Sequence, residues 1–217
     1  MPKGFIFDLD GVIVDTAKYH FKAWQSLAKN LQYNFTEQDN EQFKGVSRVR
    51  SLELLLEMAQ YKKATQEEKE HWLTEKNDHY LSLISNMNAS EILPGITEIL
   101  TALKAQKIPI ALGSASKNAK PILEKVGLLS YFDVLVDGNE VAKAKPDPEV
   151  FLTAAKGLGV APENCVVFED ALAGVAAAKA AQMVCVAIGD PAILFKADHC
   201  FASTAEITPS FVQSLIA

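Results

Sequence analysis

Five short apolar runs are spaced along the chain, and each run predicts a buried strand. A run of this length that is apolar throughout is typical of a strand covered on both faces, as in a parallel sheet. The runs occupy residues 4–7, 108–112, 134–136, 166–168 and 184–188.

Helical stretches separate the later runs. Asp147 and Pro148 provide a cap and a first helical position, Gly159 provides a stop, and an alanine-rich segment covers residues 171–181. Strands that alternate with helices form a parallel sheet with helices on both faces. The pattern therefore predicts an α/β fold with a Rossmann-like parallel sheet, in which ligands bind at the carboxyl ends of the strands.

Residues 17–85 interrupt this alternation, because they contain three helical patterns and no convincing strand. Two patterns repeat apolar residues at helical spacing, and a capping box from Thr65 to Glu68 opens a third helix that runs through Ile84. The repeating residues are His20, Trp24, Leu27 and Leu31, and then Leu52, Leu55 and Ala59. We therefore predict an all-helical cap of residues 16–90, inserted into a core of residues 1–15 and 91–217.

The composition of the 217-residue chain is that of a folded soluble protein, with 49% hydrophobic and 22% charged residues. The formal net charge of −6 argues against nucleic acid as a partner, because binding a phosphate backbone needs clustered Lys and Arg. No segment approaches the ~18 apolar residues of a membrane span, and the residues before Asp8 are too few for a signal peptide. We expect a cytoplasmic monomer with no membrane partner, in which Cys165, Cys185 and Cys200 are reduced, buried thiols.

Two acidic pairs end two of the apolar runs. Asp8 and Asp10 follow the first run, where Gly11 permits a sharp turn, and Glu169 and Asp170 follow the fourth. The first pair alone is equally typical of an ordinary turn. Four carboxylates at one sheet edge require a cation, and Mg²⁺ prefers oxygen ligands and shares them with phosphate. With that charge present, a carboxylate is able to attack phosphorus and form an aspartyl phosphate.

Phosphate-binding groups follow two further strands or loops. Ser114, Ala115, Ser116 and Asn118 lie between the second apolar run and a helix, where hydroxyls and helix-start amides hold phosphate. Lys145, before Pro146, adds a positive charge.

The segments FIFDLDGVIVDT, Ser114, Lys145-Pro146 and FEDALAG resemble, in this order, the four motifs of the haloacid dehalogenase superfamily. The resemblance implies that Asp8 is the nucleophile and that Asp10 is a general acid/base whose backbone carbonyl also binds Mg²⁺. It further implies that Glu169 and Asp170 bind the metal, while Ser114 and Lys145 stabilise the transferring group. The second aspartate disfavours dehalogenation, because it protonates a leaving oxygen in phosphoryl transfer.

Within the predicted cap, DTAKYHFKAW, KGVSR and Lys76-Asn77-x-x-Tyr80 are similar to segments of the β-phosphoglucomutases. Those enzymes convert β-glucose 1-phosphate to glucose 6-phosphate through bound β-glucose 1,6-bisphosphate, so the resemblance implies sugar phosphates as partners and Mg²⁺ and the bisphosphate as cofactors. By the same resemblance, Arg48 holds the phosphate that is not transferred. The other implied substrate-binding residues are Thr16, His20, Trp24, Gly45, Val46, Ser47, Lys76, Ala115, Ser116 and Asn118.

Other interpretations of these residues stay open at this point. His20 and Trp24 are also typical of a packed helix face, and Arg48, Lys76 and Lys117 of solvated charges. Gly113, where the mutase pattern has Ala, leaves the chemistry untouched but is expected to loosen the phosphate loop.

Two other functions compete with the mutase. The first is a sugar-phosphate phosphatase with the same Asp8 chemistry. The second is a non-catalytic protein that binds sugar phosphates, which would keep its function when Asp8 is replaced by Asn.

Overall fold

The structure, a computed structural model, describes residues 3–216. Six parallel strands form one sheet in the order β3-β2-β1-β4-β5-β6. The strands are β1 (Gly4–Phe7), β2 (Ile110–Gly113), β3 (Val134–Val136), β4 (Cys165–Glu169), β5 (Val184–Ile188) and β6 (His199–Phe201). The predicted α/β fold with a parallel sheet is therefore confirmed.

The helices of the described chain lie in the connections between these strands, except the last one, which follows β6. They are α1 (Ala17–Asn30), α2 (Glu37–Glu41), α3 (Arg48–Met58), α4 (Gln66–Leu83), α5 (Ile96–Ala105), α6 (Ala119–Val126), α7 (Glu149–Leu158), α8 (Leu172–Ala180) and α9 (Pro209–Ile216). The apolar faces of α5, α6 and α9 cover one side of the sheet, and those of α7 and α8 cover the other. Alternate side chains of one strand enter opposite layers, as Phe5 and Ile6 do, which explains why the strands read as continuous apolar runs.

Some predicted boundaries were wrong by one or two residues. Strand β2 begins at Ile110 rather than Ile108, because the Ile108 amide donates to Leu103 O in the turn that ends α5. Helix α7 begins at Glu149, and Pro148 rather than Asp147 is its cap residue. Asp147 instead accepts the Glu149 amide hydrogen at 3.0 Å in a local turn.

The predicted thiols are free, but only two are buried. Cys165 and Cys185 are buried, whereas Cys200 is half-buried because it lies on β6, the edge strand of the sheet. Within residues 3–216, every helix is too short or too polar to span a bilayer.

Helices α1–α4, here called the helical insertion, follow β1 directly and have their own hydrophobic cluster. Trp24, Phe35, Leu52 and Leu55 are buried in that cluster. Residues 17–85 contain no strand, as predicted, and the capping box at Thr65 is present. The short helix α2 was not predicted, and its own capping box from Thr36 to Asp39 starts it. The insertion as a domain of residues 16–90 stays a prediction, and the predicted outer limits of the core at residues 1 and 217 lie outside the described residues.

The register of the central strands brings the carboxyl ends of β1, β2 and β4 to the same edge of the sheet. Phe7 of β1 pairs with Leu112 of β2 and with Phe168 of β4, so the residues after them lie side by side at the sheet edge. The Phe7 and Phe168 rings stack with centroids 4.7 Å apart, and the Asp8 amide donates to Phe168 O at 3.0 Å. This aromatic pair fixes the relative position of the two acidic strand ends.

Replacing Phe168 by Ala is expected to lower the free energy of unfolding by roughly 3–5 kcal/mol, because it opens a cavity beneath the strand ends. Denaturant unfolding followed by circular dichroism measures the change. Phe168→Leu keeps most of the buried volume and is the matched control, with a smaller loss. Equal losses in the two variants would contradict the cavity as the cause of the loss.

Candidate active site

A cavity of about 390 Å³ lies between the carboxyl ends of the strands and the helical insertion. Every predicted site residue lines it except Thr16 and Glu169, both of which are fully buried. The lining residues that were predicted are Asp8, Asp10, His20, Trp24, Gly45, Val46, Ser47, Arg48, Lys76, Ser114, Ala115, Ser116, Asn118, Lys145 and Asp170.

Lys145 holds two of the acids together at the base of the cavity. Its Nζ donates to Asp8 Oδ1 at 2.7 Å and to Glu169 Oε1 at 2.6 Å, and all three side chains are almost completely buried. Glu169 also accepts the Ala171 amide hydrogen at 2.7 Å. Burial lowers the pKa of Lys145, but the two carboxylates outweigh it and the net shift is upward, which favours the charged form of this lysine.

Asp170 completes a cluster of three carboxylates. One oxygen each from Asp8, Glu169 and Asp170 lies within 4.8 Å of the others. Gly11 makes the approach possible, since a Cβ at that position would lie 2.1 Å from Asp170 Oδ2. Burial, opposed by Lys145, raises the pKa of Asp8 to about 7, and burial together with Glu169 and Asp8 raises that of Asp170 well above its usual range.

These groups fit a divalent cation. Two of the three carboxylates share the Lys145 ammonium group, and burial, together with the neighbouring carboxylates, raises the pKa of Asp8 and of Asp170. Oxygen donors of this kind are the preferred ligands of Mg²⁺. Asp10 was expected to bind the metal through its backbone carbonyl, which stays a prediction, and its carboxylate has other partners.

Asp10 faces the helical insertion. Its Oδ1 accepts a hydrogen bond from the Thr16 hydroxyl and lies 3.7 Å from His20 Nε2. Burial raises the pKa of Asp10, but the interactions with His20 and Thr16 outweigh it, so the net pKa is below the usual value. Asp10 is therefore a carboxylate at neutral pH and is ready to accept a proton.

The loop after β2 has an internal ladder of hydrogen bonds. Ser114 Oγ accepts the Ser116 amide hydrogen at 3.1 Å, and Ser116 Oγ accepts the Asn118 amide hydrogen at 3.2 Å. Gly113 does not leave a gap below this loop, because the Phe151 ring fills the space and would lie 2.9 Å from an added Cβ. The expected loosening of the loop stays a prediction.

Lys76 is buried, so the interpretation of this residue as a solvated surface charge is wrong. Its Nζ lies 3.0 Å from His20 Nδ1 and 4.7 and 5.0 Å from the ring centroids of Trp24 and Tyr80. Burial and the nearby Arg48 lower its pKa to about 7. An anionic substrate beside Lys76 would favour its charged form.

The other residues of the insertion line the far side of the cavity. Arg48 begins α3, with Ser47 as its cap residue, and is half-buried. Gly45 has a φ of +70°, and a Cβ there would lie 2.7 Å from the Cβ of Ala171, so the insertion touches the core closely at this point. His20 and Trp24 both pack in the insertion and line the cavity, so the two interpretations of this pair are compatible. Lys117 is an exposed charge at the rim, as expected.

Lys44 and Asn77 are among the residues of this site to which sequence reasoning assigned no role. Lys44 lines the cavity and interacts electrostatically with Asp170. Asn77 receives a hydrogen bond from Asn118. Both lie within segments that carried the family resemblance, next to Gly45 and Lys76, and that position was the available signal.

The chain matches the family model of the haloacid dehalogenase-like hydrolases over residues 2–182. It is 42% identical to a β-phosphoglucomutase of Bacillus subtilis over 95% of this chain and 92% of that protein. A crystal structure of β-phosphoglucomutase from Clostridium difficile superposes with a TM-score of 0.95 at 42% identity, covering 100% of this chain and 97% of that one. A phosphorylated carbohydrates phosphatase of Thermotoga maritima is 34% identical over 81% of this chain and 80% of its own length.

Replacing Gly174 by Ala is expected to weaken Mg²⁺ binding roughly 10- to 100-fold, the usual effect of displacing a group that orients a metal ligand. A Cβ at residue 174 would lie 1.7 Å from Glu169 Oε1, so the carboxylate must leave its place beside Lys145. Calorimetric titration with Mg²⁺ measures the change. Ala180→Ser, at the exposed end of the same helix, is the control, and equal affinity in the two variants would contradict this account.

Mg²⁺ binding is expected to release protons below neutral pH. Asp8, with its pKa of about 7, and Asp170, with a raised pKa, hold protons at low pH that the metal must displace. The apparent affinity should fall as the pH drops below about 7, by up to about tenfold per pH unit for each proton. Titrations at several pH values, in buffers of different ionisation enthalpy, count the protons. Asp170→Asn should reduce the number, whereas the exposed Glu124→Gln should not.

Proposed function

This chain belongs to the haloacid dehalogenase-like hydrolase family, and on that premise we propose that it is a β-phosphoglucomutase, which interconverts β-glucose 1-phosphate and glucose 6-phosphate. The single observation that carries the proposal is that one cavity is lined both by groups of the core and by a cation of the insertion. Asp8, Ser114 and Lys145 of the core line it, and so does Arg48 of the helical insertion. A mutase needs both sets of groups, because it presents either phosphate of a bisphosphate to one nucleophile and must hold the other phosphate.

In the first half-reaction, the phosphorylated Asp8 gives its phosphoryl group to the 6-hydroxyl of β-glucose 1-phosphate. Asp10 accepts the hydroxyl proton, and its carboxylate form is favoured by the lowered pKa. The oxygen–phosphorus bond to Asp8 breaks as the bond to the sugar oxygen forms. The products are β-glucose 1,6-bisphosphate and the free Asp8 carboxylate.

In the second half-reaction, the bisphosphate has exchanged its two ends in the cavity. Asp8 attacks the phosphorus at position 1, and the protonated Asp10 returns its proton to the leaving sugar oxygen. Glucose 6-phosphate and phosphorylated Asp8 result, so the enzyme is ready for another cycle. The bisphosphate is thus the intermediate and also the donor that first phosphorylates Asp8.

Lys145 and the acidic cluster govern the charge at the reacting phosphoryl group. Asp8, Glu169 and Asp170 would hold Mg²⁺, which would neutralise negative charge on the transferring group. Lys145, already 2.7 Å from the nucleophilic carboxylate, supplies a fixed positive charge at the same place. Ser114, buried at the end of β2, adds a hydroxyl donor.

The helical insertion gives preference for sugar over water. Thr16 and His20, both from the start of the insertion, hold the Asp10 carboxylate. A proton acceptor positioned by the insertion works best when the insertion encloses the cavity, and enclosure also excludes water.

We infer that the enzyme is a monomer and is cytoplasmic, as expected from the sequence.

The alternative is a phosphatase that transfers the same phosphoryl group to water. The sequence similarity to the Thermotoga maritima phosphatase supports this alternative. It uses the core groups alone and needs no group for a second phosphate. The place of Arg48 in the cavity favours the mutase.

The deciding experiment follows glucose 6-phosphate and free phosphate in one sample that contains β-glucose 1-phosphate, Mg²⁺ and a trace of β-glucose 1,6-bisphosphate. We expect glucose 6-phosphate with little phosphate release. Stoichiometric phosphate with little glucose 6-phosphate would make the protein a phosphatase. Asp8→Asn should abolish both products.

Arg48→Ala is expected to lower mutase kcat/KM by at least about tenfold, because it removes a charged donor for the second phosphate. Arg50→Ala is the matched control. Arg50 is on the same helix, but its guanidinium is exposed and binds Glu53 and Glu57. Unchanged turnover in Arg48→Ala would show that the insertion does not hold the second phosphate through Arg48.

A further inference from the structure

One side-chain hydrogen bond joins the phosphate loop of the core to the longest helix of the insertion. Asn118 Nδ2 donates to Asn77 Oδ1 at 3.1 Å, and both residues are half-buried. Asn118 is the residue before α6, yet its side chain does not cap that helix. An asparagine at this position ordinarily accepts a helix amide, so its orientation toward α4 calls for another explanation.

On the core side, Asn118 ends the hydrogen-bond ladder of the phosphate loop. The backbone amide of Asn118 donates to Ser116 Oγ, and the backbone amide of Ser116 donates to Ser114 Oγ. The position of the Asn118 side chain therefore depends on the conformation of the whole loop. A phosphate bound by this loop would reach the same side chain.

On the insertion side, Asn77 follows Lys76 on α4. Lys76 Nζ lies 3.0 Å from His20 Nδ1, and His20 Nε2 lies 3.7 Å from Asp10 Oδ1. The Lys76 ammonium is packed between Trp24 and Tyr80, so this part of α4 has little freedom to shift independently. A continuous set of contacts thus runs from the phosphate loop through α4 to Asp10.

We propose that Asn77 is a positioning residue that couples the phosphate loop to Asp10 by holding Asn118 against the helical insertion. This inference rests on the proposed mutase function and adds to it a residue that acts through others. The side-chain amide of Asn118 has two N–H groups. One binds Asn77, and the second is able to bind a phosphate oxygen at the same time, so an occupied loop and a correctly placed α4 support each other.

The proposed coupling should affect phosphoryl transfer to a sugar hydroxyl and leave phosphoryl transfer to water unchanged. Transfer to a sugar hydroxyl needs Asp10 in place, and therefore needs the contacts that run through α4. Phosphorylation of Asp8 by acetyl phosphate, with acetate as the leaving group, and hydrolysis of the aspartyl phosphate by water without sugar take place within the core. Loss of the Asn77–Asn118 bond should therefore change the ratio of the two reactions.

The test is Asn77→Ala, compared with the wild type in two assays. Mutase kcat/KM should fall roughly three- to tenfold, the usual effect of one hydrogen bond, while hydrolysis of the phosphoenzyme without sugar changes less than about twofold. The melting temperature should not fall, because Ala is a better helix former than Asn. A structural role alone would lower stability or both rates together, and that result would overturn the proposal.

Two further variants make the result specific. Asn30→Ala removes a similar bond inside the insertion, from Asn30 Nδ2 to Glu75 Oε1 at 3.0 Å, and should leave both rates unchanged. The double variant Asn77→Ala with Asn118→Ala should lose no more than Asn118→Ala alone, since each removes the same bond. Fully additive losses, or an unchanged mutase rate in Asn77→Ala, would overturn the proposal. A wild type with no mutase activity would instead refute the proposed function, and the two failures are distinguishable.

Discussion

The ammonium of Lys145, buried between the carboxylates of Asp8 and Glu169, is the interaction on which the active site depends. Asp8 directly follows β1, Glu169 ends β4 and Lys145 lies before α7, so the three meet only when these strands are paired. Breaking such a buried pair by removing one partner costs roughly 3–5 kcal/mol, since it leaves an unpaired charge. The stack of Phe7 on Phe168 and the pairing of their strands set the distance that Lys145 spans.

One ammonium does not balance the negative charge that the fold brings together. Asp170 joins the cluster through the space left by Gly11, and burial, together with Glu169 and Asp8, raises the pKa of its carboxyl. The surplus makes the sheet edge suitable for a divalent cation and a phosphate. The same requirement explains Gly174, where any side chain would collide with Glu169.

In the proposed mechanism, the helical insertion determines which acceptor receives the phosphoryl group. The core alone would supply the nucleophile and the charge that stabilises transfer, and these groups would serve water as well as sugar. Arg48 and Lys76 of the insertion line the cavity, and Thr16 and His20 hold the Asp10 carboxylate. We propose that acceptor choice depends on the contacts between insertion and core, of which the bond between Asn77 and Asn118 is one.

The sequence by itself determined the parts of this protein that depend on local pattern. Apolar runs predicted β1–β5, and the acids at their ends predicted the cluster of Asp8, Glu169 and Asp170, because the ends of parallel strands lie at one edge. It missed β6, since His199–Phe201 forms no apolar run, and α2, which is too short for a periodic pattern.

Only the tertiary structure decided the features that depend on distant residues. It turned the Asp10 carboxylate away from the acidic cluster, buried Lys76 among aromatic rings, filled the space beside Gly113 with Phe151 and joined Asn77 to Asn118. The physical reason is that burial, ion pairing and side-chain hydrogen bonds depend on which surfaces the fold brings into contact, whereas strand and helix patterns are properties of neighbouring residues.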